Sequence, residues 1–180
     1  MIYTILSTYA RQMEQYISSF IRQPEGIIEV GITAGQGEEE PCKIQLFLLN
    51  VERETAAGIV TGRGTTSGRF SSVSSPPLYA NLNVVIASVF SPKRYKESLS
   101  YLSLAITFLQ STPVFTTGDG MKYTIELTDT TLQDQSNIWP LFGGKYYPSV
   151  ICKIRRLTFD SNEIKKTEIS ISSIEPQVER

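Results

Sequence analysis

Side chains that could do catalysis are scarce in this 180-residue chain, which contains no histidine. That absence removes Ser-His-Asp and Cys-His nucleophile systems, together with the commonest general base and metal ligand of proteins. The two cysteines, Cys42 and Cys152, lie far apart among strand-like residues. They supply neither a disulfide framework nor the four ligands of a zinc site, so we expect two buried thiols and no metal or cofactor.

Carboxylates are the remaining groups that could do acid–base chemistry. The four candidates are Asp119, Glu126, Asp129 and Asp134. The sequence does not pair them at a fixed spacing, and turns, strand faces or helix starts explain each of them. The run 38–40 contains three glutamates, but adjacent glutamates point in different directions and repel, which favours a solvated turn over a metal site. We therefore expect no enzymatic activity.

The segment 55–77 is rich in Gly, Ser and Thr and ends in two prolines. Its glycines superficially resemble a phosphate-binding loop, but the GxxxxGK[ST] spacing fails and no lysine follows the last glycine. Arg63 and Arg69 lie in this segment, which has no acidic residue, so it forms a small positive arm. We expect a flexible arm that orders against a neighbouring subunit, or alternatively a disordered loop.

Length and composition indicate one globular domain. Hydrophobic residues make up 41% of the chain and charged residues 19%, which argues against disorder. The net charge of −1 gives no reason to expect a nucleic acid partner. Neither a secretory leader nor an apolar run long enough to span a bilayer is visible, so we expect synthesis in the cytoplasm and no insertion into a membrane.

The periodicities predict an α+β fold over a single domain, 1–180. It should have a mixed, largely antiparallel sheet with two main helices packed on it. The C-terminal strand and tail occupy 163–180, and 160–162 should make a hairpin turn before them. We predict helices at 2–20, 93–110 and 132–139, and strands at 27–31, 43–51, 78–90, 121–127, 149–159 and 163–174.

The second main helix is apolar around most of its circumference. Tyr95, Leu99, Leu102, Ile106 and Leu109 follow one side of it at helical spacing. Other apolar residues widen this stripe. We therefore expect burial of most of the helix surface, either inside the domain or between subunits.

A corner follows the third helix. Trp139 and its apolar neighbours precede Gly143-Gly144, where backbone can approach another surface closely. In one interpretation Trp139, with Tyr146, locks the corner of the core. In another, Lys145, Tyr147 and Arg155 contact another subunit, and the two interpretations are compatible.

The C-terminal strand offers a way to assemble. Ile169 and Ile171 alternate with Ser170, as a β-strand requires. A terminal strand with an open edge can pair with the sheet of a neighbouring molecule. An ordinary edge strand within the chain is the alternative.

Several stretches in the same order resemble one family. Asn137, Trp139 and a glycine precede the pattern Lys-Tyr-x-Pro-Ser-x-x-x-Lys-x-Arg at 145–155. Met1-Ile2-Tyr3-Thr4-Ile5-Leu6-Ser7 and Pro77-Leu78-Tyr79-Ala80-Asn81-Leu82-Asn83-Val84 add to the match. Together they resemble the tail-terminator, or cap, family of contractile injection systems, phage-tail-like particles of the antifeeding-prophage and virulence-cassette kind.

The resemblance implies a tail-terminator-like fold and a structural protein without catalytic residues. It implies a homo-oligomeric, typically hexameric ring that ends the inner tube, contacts the sheath and stabilises the extended state. Such a protein becomes part of an assembled particle that can be released. Two alternatives stay open: a monomeric α+β adaptor or protein-binding module, and a paralogous assembly factor of the same particle.

Overall fold

The computed structural model describes residues 1–21, 26–32, 40–54, 64–67, 70–74, 77–159 and 164–169. Contacts divide the chain into two compact units. The first unit comprises Met1–Glu52 and Asn81–Leu157, and the second comprises Arg53–Ala80 and Thr158–Arg180. The expected single domain stays a prediction.

The described elements are three α-helices and nine strands. The helices are α1 (Ile2–Phe20), α2 (Tyr95–Ser111) and α3 (Leu132–Ile138). Short 3-10 turns at Pro92–Arg94 and Trp139–Phe142 precede α2 and follow α3. The strands are β1 (Ile28–Val30), β2 (Lys43–Arg53), β3 (Gly64–Ser67), β4 (Phe70–Ser74), β5 (Leu78–Val89), β6 (Val114–Thr116), β7 (Lys122–Leu127), β8 (Ser149–Phe159) and β9 (Ile164–Ile169).

Six strands form a mixed sheet in the order β1-β2-β5-β8-β7-β6. β1 runs parallel to β2, with Ile28 opposite Ile44. β7 is antiparallel to both of its neighbours. β5 is buried over its last ten residues, as expected for a central strand covered on both faces. This α+β architecture confirms the predicted fold class.

The helices α1 and α2 cover one face of this sheet with aromatic packing. The Tyr9 ring of α1 lies 5.3 Å from Phe108 of α2 and 4.9 Å from Phe115 of β6, measured between ring centroids. Ser88 of β5 donates from its hydroxyl to the Ser98 carbonyl of α2 at 2.9 Å. Because side chains alternate across a strand, the even-numbered residues of β5 face these helices.

A second sheet has three strands in the order β3-β4-β9. β4 is antiparallel to both, with Phe70 opposite Ser67 of β3 and Ile169 of β9. The sequence predicted instead that β8 and β9 pair as a hairpin. That pairing is wrong, because β9 takes its hydrogen-bonded partner from the distant stretch 70–74. The predicted turn at 160–162 lies outside the described residues.

Three further details differ from the expectations. β6 was not predicted, because three residues are too few to show a period. The 55–77 stretch contains the strands β3 and β4; its other residues lie mostly outside the described part, so its flexibility stays a prediction. On α2 the buried face is Ser98, Tyr101, Leu102, Ala105, Phe108 and Leu109. Tyr95, Leu99 and Ile106 of the predicted stripe are exposed, because a helix that is apolar almost all round does not reveal its inner face.

Within the described residues, no helix is both long and apolar enough to cross a membrane.

Candidate assembly interface

A hydrophobic cluster fixes the corner between α3 and β8. Trp139 is only 7% exposed and packs among strand residues on the sheet face opposite α1 and α2. Its buried neighbours are Phe47, Val85, Ala87, Val89 and Ile151. The Tyr147 ring, half-buried, meets Trp139 edge-on at 5.6 Å. The prediction that Trp139 locks this corner of the core agrees with this packing.

Local sequence explains the path of the corner. Thr131 caps α3 with a capping box, in which its hydroxyl accepts from Asp134 N and the Asp134 carboxylate accepts from Thr131 N. After the 3-10 turn, Gly143 and Gly144 have φ of 86° and 76°. Glycine adopts this left-handed conformation without steric penalty, and Gly144 N donates back to Trp139 O at 3.0 Å. The reversed chain then leads into β8.

A cleft of about 450 Å³ opens between this corner and the start of α2. Phe90, Pro92 and Pro148 contribute to its lining. Two strongly exposed tyrosines also line it, Tyr95 at 52% and Tyr146 at 63%. Exposed aromatic rings around a concave surface are typical of protein–protein contact sites.

The cations beside the cleft have acidic partners. Lys145 Nζ lies 3.2 Å from Glu40 Oε1. Two hydrogen bonds lower the pKa of the Glu40 carboxyl: the larger effect comes from the Glu40 backbone amide and the smaller from Lys145. The hydrogen bond to Glu40 in turn raises the pKa of Lys145. Arg94 is paired with Glu97. The pairing leaves aromatic groups, rather than net charge, as the main feature of the cleft.

A polar row crosses the same face of the sheet on β2, β5 and β8. Lys153 Nζ lies 2.9 Å from Glu52 Oε2, and Asn83 Nδ2 donates to Glu52 Oε1 at 2.6 Å. Hydrogen bonds from Lys153 and then Asn83 lower the pKa of the Glu52 carboxyl. Next to this row, Arg155 Nε donates to Glu126 Oε1 at 2.6 Å. This face thus combines a small apolar cluster with paired charges.

The predicted interface residues fall into three groups. Trp139, Lys145 and Tyr147 share the corner, whereas Arg155 lies on β8 and pairs with Glu126. Ile169 ends β9, opposite Phe70. Arg63, Arg69 and Ile171 lie outside the described residues. Contact of these eight residues with a partner stays a prediction.

Sequence reasoning missed Tyr95 and Tyr146 as exposed contact groups. The Tyr146 ring contacts Trp139 edge-on at 6.0 Å, as predicted, but it is mostly exposed and not part of the core. No spacing rule distinguishes Tyr146 from Tyr147, because residues 145–148 lie outside any helix or strand. Tyr95 carried no signal either, because it begins a helix that is apolar on several sides.

Three of the four candidate acid–base residues have structural partners. The Asp119 carboxylate accepts from the Met121 amide at 3.2 Å and from the Thr117 hydroxyl. Asp134 belongs to the capping box, and Glu126 pairs with Arg155. Among the described residues no group of three or more His, Cys, Asp or Glu side chains could hold a metal ion.

Comparison with known proteins gives a family and a fold. The family model for the Pvc16 N-terminal domain matches residues 4–173. A search of curated proteins finds no match.

Two solved structures are similar in fold. One is the sheath/tube terminator of a PVC extracellular contractile injection system in its extended state, with 11% identity and a TM-score of 0.61 over 92% of this chain. The other is the tube-terminating cap of the anti-feeding prophage, with 13% identity and a TM-score of 0.60 over 96% of this chain. This chain spans 61% and 60% of the lengths of those two chains.

Proposed function

Because this chain belongs to the Pvc16 N-terminal domain family, we propose that it is a tail terminator, or cap, of a contractile injection particle. It ends the inner tube and the sheath and stabilises their extended state. The observation that carries this proposal is the shared fold with a sheath/tube terminator and a tube-terminating cap over more than nine-tenths of the chain.

The proposed active form is a closed homo-oligomeric ring, a hexamer by resemblance to the family. A closed ring uses heterologous contacts whose rotation returns to the start, so it can end a helical polymer with a finished surface. Its partners are further copies of the chain and the subunits of the inner tube and sheath. We propose synthesis in the cytoplasm followed by incorporation into the particle.

The cleft at the Trp139 corner is the proposed contact surface in the first unit. Trp139 holds the corner in place from inside, and Tyr146 and Tyr95 present aromatic groups at the surface. Lys145 and Tyr147 line the same cleft. Buried aromatic residues contribute strongly to binding when a partner excludes water from them, which suits this arrangement.

Three other surfaces complete the proposal. The strand β9, which ends at Ile169, lies at one edge of the three-stranded sheet and can pair there with a neighbour. Ile171, outside the described residues, is the second residue proposed for this contact. Arg155 lies on the outer face of the six-stranded sheet, which is the face opposite α1 and α2. Arg63 and Arg69 supply a positive arm that can meet acidic rims of the tube or sheath.

The role is structural, without catalysis or a cofactor. Three of the four candidate carboxylates stabilise a turn, a strand pair and a helix start, which supports this part of the proposal.

A second candidate is a paralogous assembly factor of the same particle, because paralogues of one family share its fold.

Electron microscopy of the purified chain, alone and mixed with tube and sheath, tests the terminator proposal. We expect rings of uniform size in isolation and density of the same size at tube ends. The double variant Arg63→Glu/Arg69→Glu should weaken end binding, and Arg11→Glu/Arg53→Glu, at two exposed arginines, serves as a charge-matched control outside the arm. A strictly monomeric chain that never binds tube or sheath ends contradicts the proposal and leaves the monomeric adaptor.

A further inference from the structure

Among the described residues the strand β6 presents an open edge, whose hydrogen-bonding groups can be assigned from its register. β6 is the last strand of the six-stranded sheet. Ile125 N donates to Pro113 O and Thr117 N donates to Met121 O, both at 2.9 Å. In an antiparallel pair, inward-pointing and outward-pointing residues alternate. The N–H and C=O groups of Val114 and Thr116 therefore point away from β7.

This edge is short, since β6 has three residues and follows Pro113, but it lacks the charges and bulges that natural proteins also use to protect exposed strands. From Ser98 to Gly118 the sequence contains no charged residue, and the β6–β7 register runs without a bulge. The Val114 side chain is 51% exposed, whereas Phe115 beside it is buried. Natural edges are often defended by lysines, inward charges or bulges, and an exposed edge without them can serve as a template for another strand.

We propose that β6 accepts, by strand addition, the segment 170–180 of a neighbouring copy of this chain. The proposal rests on the proposed ring and names one of its contacts. Outward backbone groups at Val114 and Thr116, two residues apart on an exposed strand, match the spacing of an extended backbone, which a helix does not offer.

The segment 170–180 fits that requirement in length and composition. It follows β9 directly and, at up to about 3.3 Å per extended residue, eleven residues reach about 35 Å. Ser170-Ile171-Ser172-Ser173-Ile174 is uncharged and β-prone, like β6 itself. Pro176 cannot donate to a ladder, so it ends the added strand after about six residues. Glu175 complements Lys122, which lies opposite Thr116 in the register.

A chain that donates at one place and accepts at another makes a heterologous contact. Repetition of such a contact gives a ring when the rotation closes, whereas a symmetric dimer contact cannot. Strand exchange from copy to copy thus supplies a direction around the ring.

Substitutions on each side of the contact test the proposal in the full-length chain. Thr116→Pro removes the outward N–H without removing a hydrogen bond to β7, and Thr116→Val is its matched control. Ile171→Asp places a charge in the donor segment, and Ile171→Val is its control. Val114→Lys protects the edge without a change of backbone, in case Thr116→Pro fails to fold.

Light scattering after size exclusion, with thermal unfolding as the folding check, gives the first readout. We expect Thr116→Pro and Ile171→Asp to be folded monomers alone and to form a one-to-one dimer when mixed, because one variant keeps the donor and the other keeps the acceptor. Both control variants should assemble like the unmodified chain. The proposal is overturned if folded Thr116→Pro and Val114→Lys assemble like the unmodified chain. It is also overturned if the mixture of Thr116→Pro and Ile171→Asp stays monomeric.

A labelled peptide with the sequence of residues 168–178 gives the second readout by fluorescence anisotropy. The peptide should bind the Ile171→Asp chain, whose β6 edge is vacant. It should bind the double variant Ile171→Asp/Thr116→Pro at least tenfold more weakly. Absence of binding to Ile171→Asp overturns the edge assignment even if the unmodified chain forms rings, in which case the terminator proposal survives. Peptide binding by a chain that never forms rings supports the edge and rejects the ring.

Discussion

The two faces of the six-stranded sheet are built in different ways. Under α1 and α2, Tyr9, Phe108 and Phe115 form a continuous aromatic core. On the opposite face a compact cluster around Trp139 lies next to a row of paired charges that includes Glu52 and Lys153. The first face has the composition of an interior, and the second that of a surface still able to receive a partner.

The difference separates stability from assembly. Full burial of large apolar side chains contributes about 1.5–3 kcal/mol each, so the helix-covered face supplies much of the folding free energy. Exposed, paired charges contribute at most about 1 kcal/mol each. Changes on the outer face should therefore affect assembly more than folding.

The largest expected contrast is in thiol reactivity. Burial under the helices raises the pKa of Cys152 to about 12, whereas Cys42 is partly exposed. At pH 8 only about one Cys152 side chain in 10⁴ is a thiolate, so its labelling should be at least ~10³-fold slower than that of Cys42. Labelling kinetics with a maleimide, followed by mass spectrometry, measure this ratio.

The variant Cys42→Ser, which should take up no label before denaturant is added, is the control. Comparable rates for the two thiols contradict a closed helix-covered face.

Alanine substitutions on one strand compare the two faces directly. Ile154 is fully buried against the helix-covered face, and Ile151 packs beside Trp139. We expect Ile154→Ala to lower the free energy of unfolding by about 3–4 kcal/mol and Ile151→Ala by about 2 kcal/mol. Urea denaturation measures both. A larger loss at Ile151 means that the outer face carries more of the fold than its composition indicates.

Tyr9→Phe tests whether the aromatic core tolerates its polar atom. Burial raises the pKa of Tyr9, and within the described residues its hydroxyl has no hydrogen-bond partner. Removal of a buried, unpaired hydroxyl should raise the free energy of unfolding by about 1 kcal/mol. Tyr9→Leu, which removes the ring, is the control and should destabilise. A loss of stability in Tyr9→Phe would show that the hydroxyl is satisfied.

Acid titration tests the paired charges of the outer face. Lys153 and Asn83 lower the pKa of Glu52 in the folded state, so Glu52 stabilises the fold above its ordinary pKa of 4.5 and this contribution disappears as the pH falls further. Between pH 6 and pH 3 the free energy of unfolding should therefore fall less in Glu52→Gln than in the unmodified chain. The difference between the two chains should be less than about 1 kcal/mol. Thermal unfolding across this range checks it, and 0.5 M salt should narrow the difference. Equal pH dependence in both chains contradicts the pairing.

Tyr146→Ala should have the smallest effect on stability. Its ring is mostly exposed, so the free energy of unfolding should change by no more than about 0.5 kcal/mol. Binding to tube ends should nevertheless weaken at least tenfold, and Tyr3→Ala, at another exposed tyrosine, is the matched control. Co-sedimentation with tubes measures the difference. Unchanged binding removes the cleft from the proposal.

Elements with a clear period were predictable from sequence. In α1 the spacing of Ile5, Tyr9, Met13 and Ile17 defines a single buried face. β8 was predicted with its observed bounds, Ser149–Phe159. In both cases local pattern and tertiary environment agree, because one side of the element is apolar.

Other features depend on information that local pattern does not contain. The pairing of β9 with β4 joins residues nearly a hundred positions apart, and the buried face of α2 is chosen by the sheet rather than by its own composition. At the candidate site, the sequence identified Trp139, Lys145 and Tyr147 but not Tyr95. Its exposure depends on how α2 packs on the sheet, which no short-range spacing records.

The length distribution of particles assembled with and without this chain tests the terminator role most directly. In electron micrographs, particles that contain the chain should have tubes of uniform length and extended sheaths, and those that lack it should have tubes of variable length with contracted or missing sheath. Restoration of uniform length by the added chain is the predicted result. The same narrow length distribution in both preparations would contradict the account.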